Sequence, residues 1–250
     1  MTRETKLPAL SVFFPAYNEQ ANIKLAVEQA LQVLSVIAEQ FEVIVVNDGS
    51  TDETLKIARQ LARKYSTVRA VTQANQGYGG ALKRGFKEAK FDWIFYTDSD
   101  LQFNLQELRK LVAHTSQFSL VIGYRLNRVE GWKRQLLAKL LKLWNRILLG
   151  FPRQIKDIDC AFKLMHRSVF DQIKPLISTG AMVSTELLLK VHLAGISYQQ
   201  VGVHHYERRH GTPTGNKFTV IWTAIKETLV LKRVLLFRPH ARLNQHPAHW

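Results

Sequence analysis

The tightest constraint on the fold is a set of short, nearly unbroken apolar runs, each ending abruptly in a polar or glycine-rich loop. Leu10 to Phe14 stops at Pro15-Ala16-Tyr17-Asn18-Glu19, and Phe41 to Val46 stops at Asn47-Asp48-Gly49-Ser50. Val68 to Thr72 is followed by Asn75-Gln76-Gly77-Tyr78-Gly79-Gly80, and Trp93 to Tyr96 runs into Thr97-Asp98-Ser99-Asp100-Leu101-Gln102. Leu120 to Gly123 reads as a fifth strand. A near-continuous run such as Phe41 to Val46 implies a strand covered on both faces. Between the strands the period changes: Ile23, Ala26, Val27, Ala30, Leu31, Leu34 and Ile37 recur at helical spacing. Ser50-Thr51-Asp52-Glu53 has the form of a capping box opening a second helix. A third helix is expected from about Ala81 to Ala89, and Asn104-Leu105-Gln106-Glu107 reads as the cap of a fourth.

This alternation argues for an α/β protein with a mostly parallel central sheet flanked by helices. Right-handed crossovers bring the C-terminal ends of such strands to one rim, where ligands bind in open α/β sheets. Four polar or glycine-rich strand exits are therefore expected around one crevice. Known phosphate loops do not match them. G-x-x-x-x-G-K-[ST] does not occur, and Gly77-Tyr78-Gly79-Gly80-Ala81-Leu82 has leucine where a dinucleotide fingerprint needs its third glycine. The glycines either admit a ligand close to the backbone or make a tight turn before a helix.

Asp98 and Asp100 stand one residue apart at a strand end, so an extended chain points both carboxylates to one side. Two hard oxygen donors at that spacing suit Mg²⁺ or Mn²⁺, which takes one or two carboxylates plus substrate phosphates. An isolated pair of this kind is equally a solvated turn before a helix. His204-His205 lacks the spacing of a metal site and reads as strand-end or loop residues.

The single cysteine, Cys160, excludes a disulfide framework and a cysteine zinc site. Met1 to Leu7 is charged and lacks the apolar stretch of a signal peptide. The longest run without Asp, Glu, Lys or Arg is 16 residues, Val191 to Tyr206, and is broken by glycine, glutamine and histidine. A membrane-spanning helix needs about 20 mostly apolar residues. The net charge of +15 is lopsided: residues 1–100 hold 12 basic and 12 acidic side chains, whereas residues 101–250 hold 23 and 8. A polyanion or an anionic membrane surface is the expected partner of the second part, with nucleic acid as the rival.

Together, these residues resemble the inverting family 2 glycosyltransferases of the GT-A fold, in the branch of dolichyl-phosphate mannosyltransferase and bacterial polyprenyl-phosphate glycosyltransferases. The resemblance runs through Ser11 to Glu19, Val45 to Asp52, Gly77 to Ala81, Asp98 to Gln102, Gly123-Tyr124-Arg125, Asp157 to Lys163 and Arg208-Arg209-His210-Gly211. It implies that Pro15, Tyr17 and Glu19 line a nucleoside pocket and that Asp48 binds base or ribose, with Asn18 and Gly79 also on the donor side. Asp98, Asp100 and Gln102 would surround a divalent metal, Mg²⁺ or Mn²⁺, that offsets charge on the leaving diphosphate. Arg125, Arg134 and Arg208 would contact donor or acceptor phosphates through planar, bidentate forks. The chain departs from the pattern at Asn47, where many relatives carry Asp, at Ala161, where Gly is common, and at Thr212-Pro213-Thr214 after Gly211.

A polyprenyl phosphate acceptor suits this composition. A sugar hydroxyl holds its proton tightly and needs a base. A phosphate monoester has a second pKa of about 6 and is already mostly ionised at neutral pH. Glu186, on a helix expected over Ser184–Ala194, is the candidate base for the hydroxyl alternative. On a helix over 132–149, Trp132, Leu136, Leu137, Leu140, Leu141, Leu143, Trp144, Ile147 and Leu148 share one side, opposite Lys139, Lys142 and Arg146. Apolar face, tryptophans and cationic rim are what an in-plane membrane helix needs. Phe218 to Phe237 forms a second apolar helix, and Asn216 to Trp250 is expected to end as a mobile tail.

The sequence thus points to a GT-A domain over 1–216, with a donor part at about 8–125 and an acceptor part at about 126–216, followed by a helix and tail at 217–250. Its expected activity is metal-dependent transfer of a hexose from a nucleotide sugar, GDP-mannose or UDP-hexose, to a polyprenyl or dolichyl phosphate. Its expected place is peripheral, on the cytoplasmic face of the membrane, without nucleic acid. Transfer to a soluble or polysaccharide hydroxyl and a non-catalytic nucleotide-sugar-binding membrane adaptor are the alternatives.

Overall fold

The computed structural model describes residues 6–126, 140, 143–208 and 218–237. Its strands are β1 (Leu7–Ala16), β2 (Ala38–Asp48), β3 (Val68–Gln73), β4 (Trp93–Thr97), β5 (Leu120–Arg125), β6 (Phe162–His166) and β7 (Gln199–Val203). They form one sheet in the order β3-β2-β1-β4-β6-β5-β7. The helices are α1 (Ile23–Ile37), α2 (Thr54–Lys64), α3 (Gly77–Glu88), α4 (Leu108–Val112, entered through a 3₁₀ turn at Leu105–Glu107), α5 (143–149), α6 (Arg167–Ile173), α7 (Met182–Leu193) and α8 (Phe218–Phe237).

Side chains of successive strand residues enter opposite layers, as the pleat requires. Val12, Phe14, Val43, Val45, Phe95 and Val121 face a core closed by α1, α2 and α4. Phe13, Ile44, Val46, Ile94, Tyr96, Leu120 and Ile122 face a second core closed by α3, α6 and α7. Both cores are continuous along the sheet, which explains why the central strands have no polar alternation. In the second core the Phe13, Phe86 and Tyr96 rings meet with centroids 5.2 to 5.6 Å apart, in one stacked and two edge-on contacts.

The register sets the site. In the parallel pairs, Pro15 lies beside Val46, Phe13 beside Tyr96 and Asp48 beside Gln73. The exits of β1, β2, β3 and β4 therefore share one rim. β6 runs antiparallel to both β4 and β5, while β5 and β7 are parallel. The reversal of β6 leaves the exits of β5 and β7 on that same rim and brings the entry of β6, at Phe162, beside Thr97.

Two local expectations change. The second helix is capped by Asp52, whose carboxylate accepts from the Thr54 amide at 3.0 Å, while the Ser50 hydroxyl accepts instead from the Asn18 amide at 3.0 Å. The glycine-rich stretch is not a loop before a helix: α3 begins at Gly77, so Gly77, Gly79 and Gly80 form its first turn. Residues 218–237 are helical, the span expected from the sequence, with Ala224, Thr228 and Leu231 buried; residues 238–250 of the expected tail lie outside the described residues. No described helix is long and apolar enough to cross a membrane.

Candidate active site

The rim loops are fastened to one another by short polar side chains. Asn18, in the left-handed region at φ 56°, accepts from the Thr51 amide at 2.8 Å. The Glu19 amide donates to Thr54 Oγ1 at 2.8 Å, and the Gln20 amide to Asp52 at 3.1 Å. These contacts join the β1 exit to the start of α2. The Ser99 hydroxyl donates to the Pro15 carbonyl at 3.0 Å, joining the β1 and β4 exits. Beyond β7 the chain crosses the β4 exit loop: the Tyr206 amide donates to the Gln102 carbonyl at 2.8 Å, and the Gln102 side-chain amide donates to the Tyr206 carbonyl at 3.0 Å.

Asp98 and Asp100 sit at the centre of this arrangement. Burial, then the neighbouring charge of Asp100, pushes the Asp98 carboxyl up to about 7, against a hydrogen bond from Tyr78 and the field of Lys163. Asp100 accepts from the Gln102 amide at 3.2 Å and lies 3.6 Å from the Arg208 guanidinium. The same guanidinium pairs with Glu19, whose carboxyl is raised by burial despite Asn22 and Arg208. Beneath the site, Lys163 is fully buried and donates to the Cys160 and Ile158 carbonyls, and burial lowers its pKa.

Two adjacent carboxylates, one of them resisting ionisation through burial and through the charge of the other, suit a divalent cation. Among the described residues no group of three His, Cys, Asp or Glu side chains could hold a metal by itself. The donor set therefore fits a cation held partly by protein and partly by substrate oxygens, as Mg²⁺ commonly is. Asp98 and Asp100 would hold it. The Gln102 side-chain nitrogen is engaged by Tyr206.

The other sequence-selected residues separate into two groups. Pro15, Tyr17, Asn18, Glu19, Asp48 and Arg208 lie on or beside the rim, with Tyr17 and Asn18 exposed. The Asp48 carboxylate is buried and already accepts from Gln73 Nε2 at 2.8 Å and the Gln76 amide at 2.9 Å. Gly79 is needed for another reason than ligand approach. Its N–H donates to the Thr179 carbonyl at 2.7 Å, and a Cβ there would lie 2.5 Å from the Ser178 carbonyl oxygen. Protein backbone fills the space a ligand was expected to use. The Arg125 side chain is largely covered and forms a bidentate pair with Asp157, at 2.7 and 2.9 Å. Glu186 is wholly buried; it accepts from the Ile177 and Ser178 amides and pairs with Lys190 at 2.6 Å. A base for a sugar hydroxyl needs reach to the acceptor, and the fold uses this carboxylate inside α7's own neighbourhood instead. Arg134 lies outside the described residues, as do Trp132, Leu136, Leu137, Leu141, Lys139, Lys142 and Thr212-Pro213-Thr214.

Tyr78, Lys163 and Asp157 were within quoted motifs but carried no role. A tyrosine among glycines before Asp98 was the available signal for the first, and a lysine inside an otherwise apolar strand for the second. Nothing in the sequence marks Asp157 as the partner of Arg125, 32 residues away.

A family model described as "Glycosyl transferase family 2" matches residues 11–174, more than half of the chain. Glycosyltransferase AglD of Haloferax volcanii is 31% identical over 195 residues, 74% of this chain and 31% of that protein. Dolichol-phosphate mannosyltransferase of Pyrococcus furiosus is 32% identical over 190 residues, 72% and 52% of the two chains. Undecaprenyl-phosphate 4-deoxy-4-formamido-L-arabinose transferase of Proteus mirabilis is 27% identical over 174 residues, 68% and 53%. The chain thus spans from about a third to about half the length of these relatives. Glucosyl-3-phosphoglycerate synthase of Mycobacterium tuberculosis, in complex with Mn²⁺ and UDP-glucose, superposes with a TM-score of 0.68 at 21% identity, covering 90% of this chain and 79% of that one. That likeness establishes the fold, a GT-A sheet flanked by helices. On the family match and the shared fold, this chain belongs to glycosyl transferase family 2.

Proposed function

We propose that the chain transfers a hexose from a nucleotide sugar to the phosphate of a polyprenyl phosphate, with inversion, while docked peripherally on the cytoplasmic face of a membrane. The observation that carries this is the pair Asp98 and Asp100 on a rim where the exits of β1, β2 and β4 meet, with Glu19 and Arg208 beside them. Relatives whose names specify dolichol phosphate or undecaprenyl phosphate support the acceptor class. A divalent cation, Mg²⁺ or Mn²⁺, bound by Asp98 and Asp100 would offset the charge of the departing diphosphate.

The chain's own residues do the rest by position and charge. Tyr17, Asn18 and Asp48 lie where a nucleoside would enter beside β1 and β2. Arg208, held by Glu19 and Asp100, offers a planar fork to phosphate oxygens. An oxygen of the acceptor phosphate attacks the anomeric carbon as the bond from that carbon to the diphosphate oxygen breaks; the nucleoside diphosphate leaves with the electron pair. Because the acceptor is ionised at neutral pH, no side chain has to remove a proton. Glu186, the candidate base for a hydroxyl acceptor, lies buried against backbone amides, which accords with a reaction that needs no base.

Membrane docking is supported by Leu140, Leu143, Trp144 and Ile147, all exposed on or just before α5, with the exposed cations Arg153 and Lys156 following. The test is transfer of radiolabel from GDP-mannose, UDP-glucose or another nucleotide hexose to added polyprenyl phosphate. Metal-dependent appearance of label in the chloroform phase is expected. Label that stays wholly in the aqueous phase with every donor tried contradicts the lipid acceptor.

A further inference from the structure

Residues 176–180, between α6 and α7, make a short loop whose four consecutive amides are held by two carboxylates from different helices. Glu186 of α7 accepts from the Ile177 amide at 2.9 Å and the Ser178 amide at 2.8 Å. Glu227 of α8 accepts through one oxygen from the Thr179 amide at 2.8 Å, the Thr179 hydroxyl at 3.1 Å and the Gly180 amide at 2.8 Å. Charged acceptors make stronger hydrogen bonds than neutral ones, so the loop is tightly placed.

The other side of the loop is pressed onto the first turn of α3. Thr179 O accepts from the Gly79 amide at 2.7 Å. A Cβ at Gly77 would lie 2.7 Å from Thr179 O, and Gly77 itself has a φ of 76°. Between the two glycines, Tyr78 lies beside Asp98, close enough for each to shift the other's ionisation, and the Gln76 amide just before them donates to Asp48 at 2.9 Å. A continuous set of contacts thus runs from α8, through Thr179, to a carboxylate of the donor site. Loop 176–180 and α8 both lie beyond the segment matched by the family model.

We propose that Glu227 is a positioning residue of the donor site: by clamping loop 176–180 against the first turn of α3 it holds Tyr78 beside Asp98, so that this clamp, and not the seating of α8 as a whole, sets donor affinity. The inference rests on the reading of Asp98 as a donor-site residue. Within α8 the next residue makes different contacts. The Thr228 hydroxyl donates to Ala224 O at 2.8 Å and lies 3.3 Å from Asn145 Oδ1 of α5 and 3.7 Å from Met182 Sδ of α7, with no hydrogen bond to the amides of residues 177–180.

The experiment compares the full chain with Glu227→Ala, Glu227→Asp and Thr228→Val. Binding of GDP and of UDP is titrated in Mn²⁺, and deuterium uptake is followed in a peptide covering 77–82. Glu227→Ala should weaken nucleotide binding about tenfold and speed exchange at the α3 first turn. Glu227→Asp keeps the charge but is one methylene short, and should shift both in the same direction. Thr228→Val, which removes hydrogen bonds to α5 and α8 but leaves the Glu227 bonds to the loop amides, should stay within about twofold in binding even where its thermal midpoint falls. If Glu227→Ala does not fold, Glu227→Asp decides alone. Unchanged binding and unchanged exchange in a folded Glu227 variant overturn the proposal, as does an equal loss in Thr228→Val. Should the unaltered protein bind neither nucleotide, the donor-site reading fails by itself, and exchange at 77–82 then decides whether the clamp exists.

Discussion

Asp98 and Arg125 both close strands of one sheet on one rim, and the fold treats their charges in opposite ways. Arg125, at the end of β5, has a largely covered side chain and a carboxylate partner, Asp157, in bidentate contact at 2.7 and 2.9 Å. Asp98, just past β4, is pushed up to about 7 by burial and by a second carboxylate, Asp100. The β5 side has resolved its charge within the protein. The β4 side has collected like charge, which Arg208 and Lys163 offset only in part. Charge settled inside the chain is structural, whereas like charge gathered at a strand exit marks a candidate ligand site.

The largest effects should separate these two sides cleanly. Asp98→Asn and Asp100→Asn should each lower sugar transfer by on the order of a hundredfold to a thousandfold, as loss of a group that serves developing charge does. Stability should move the other way for Asp98→Asn. The folded protein holds a proton on Asp98 more readily than the unfolded chain does, so this group stabilises below the ordinary aspartate pKa of 3.8 and loses that contribution as pH rises through about 7. In EDTA, Asp98→Asn should therefore melt above the unaltered protein at pH 8, with the gain fading toward pH 4. A lower melting temperature at pH 8 would show that Asp98 is a structural partner like Arg125.

Arg125→Ala is the converse case. It strands Asp157 without its main cation and should cost about 3–5 kcal/mol of stability in urea unfolding. If instead stability hardly changed while acceptor KM rose sharply, Arg125 would belong with the ligand-facing charges. Glu186→Gln should cost about 1–3 kcal/mol through weaker bonds to the Ile177 and Ser178 amides. Folded Glu186→Gln should keep kcat within about threefold, because a lost general base costs about a hundredfold or more. The smallest effect on folding is expected on α5. Ile147→Glu, at an exposed position, should stay within about 0.5 kcal/mol in stability. Its retention on vesicles containing anionic lipid should fall about tenfold, since a buried isoleucine is worth about 1.5–3 kcal/mol.

The same contrast explains what could be read from the sequence. The strands β1 to β5, α1 and the rim loops were legible because continuous apolar runs and a helical period are local signals. Asp98 and Asp100 were legible for the same reason, as two residues of one loop. β6 was not, because its reversal depends on pairing Phe162–His166 between β4 and β5, and nothing local in those residues states direction. Arg125 and Glu186 were read as candidates for chemistry because a charge has no visible partner in a sequence. Their partners, Asp157 and the amides of Ile177 and Ser178, appear only once β6 and α7 are in place. The glycines of α3 were recognised as a close approach, yet the approaching group is the backbone of Ser178 and Thr179.

The most direct measurement is a calorimetric titration of GDP and of UDP into the full chain, in Mn²⁺ and again in EDTA, with Asp100→Asn alongside. If Asp98 and Asp100 hold a cation that bridges to the donor diphosphate, one nucleotide binds in Mn²⁺, and that binding is lost both in EDTA and in Asp100→Asn. Binding of equal strength in EDTA, or in Asp100→Asn with Mn²⁺ present, would contradict a metal-bridged donor at the β4 exit.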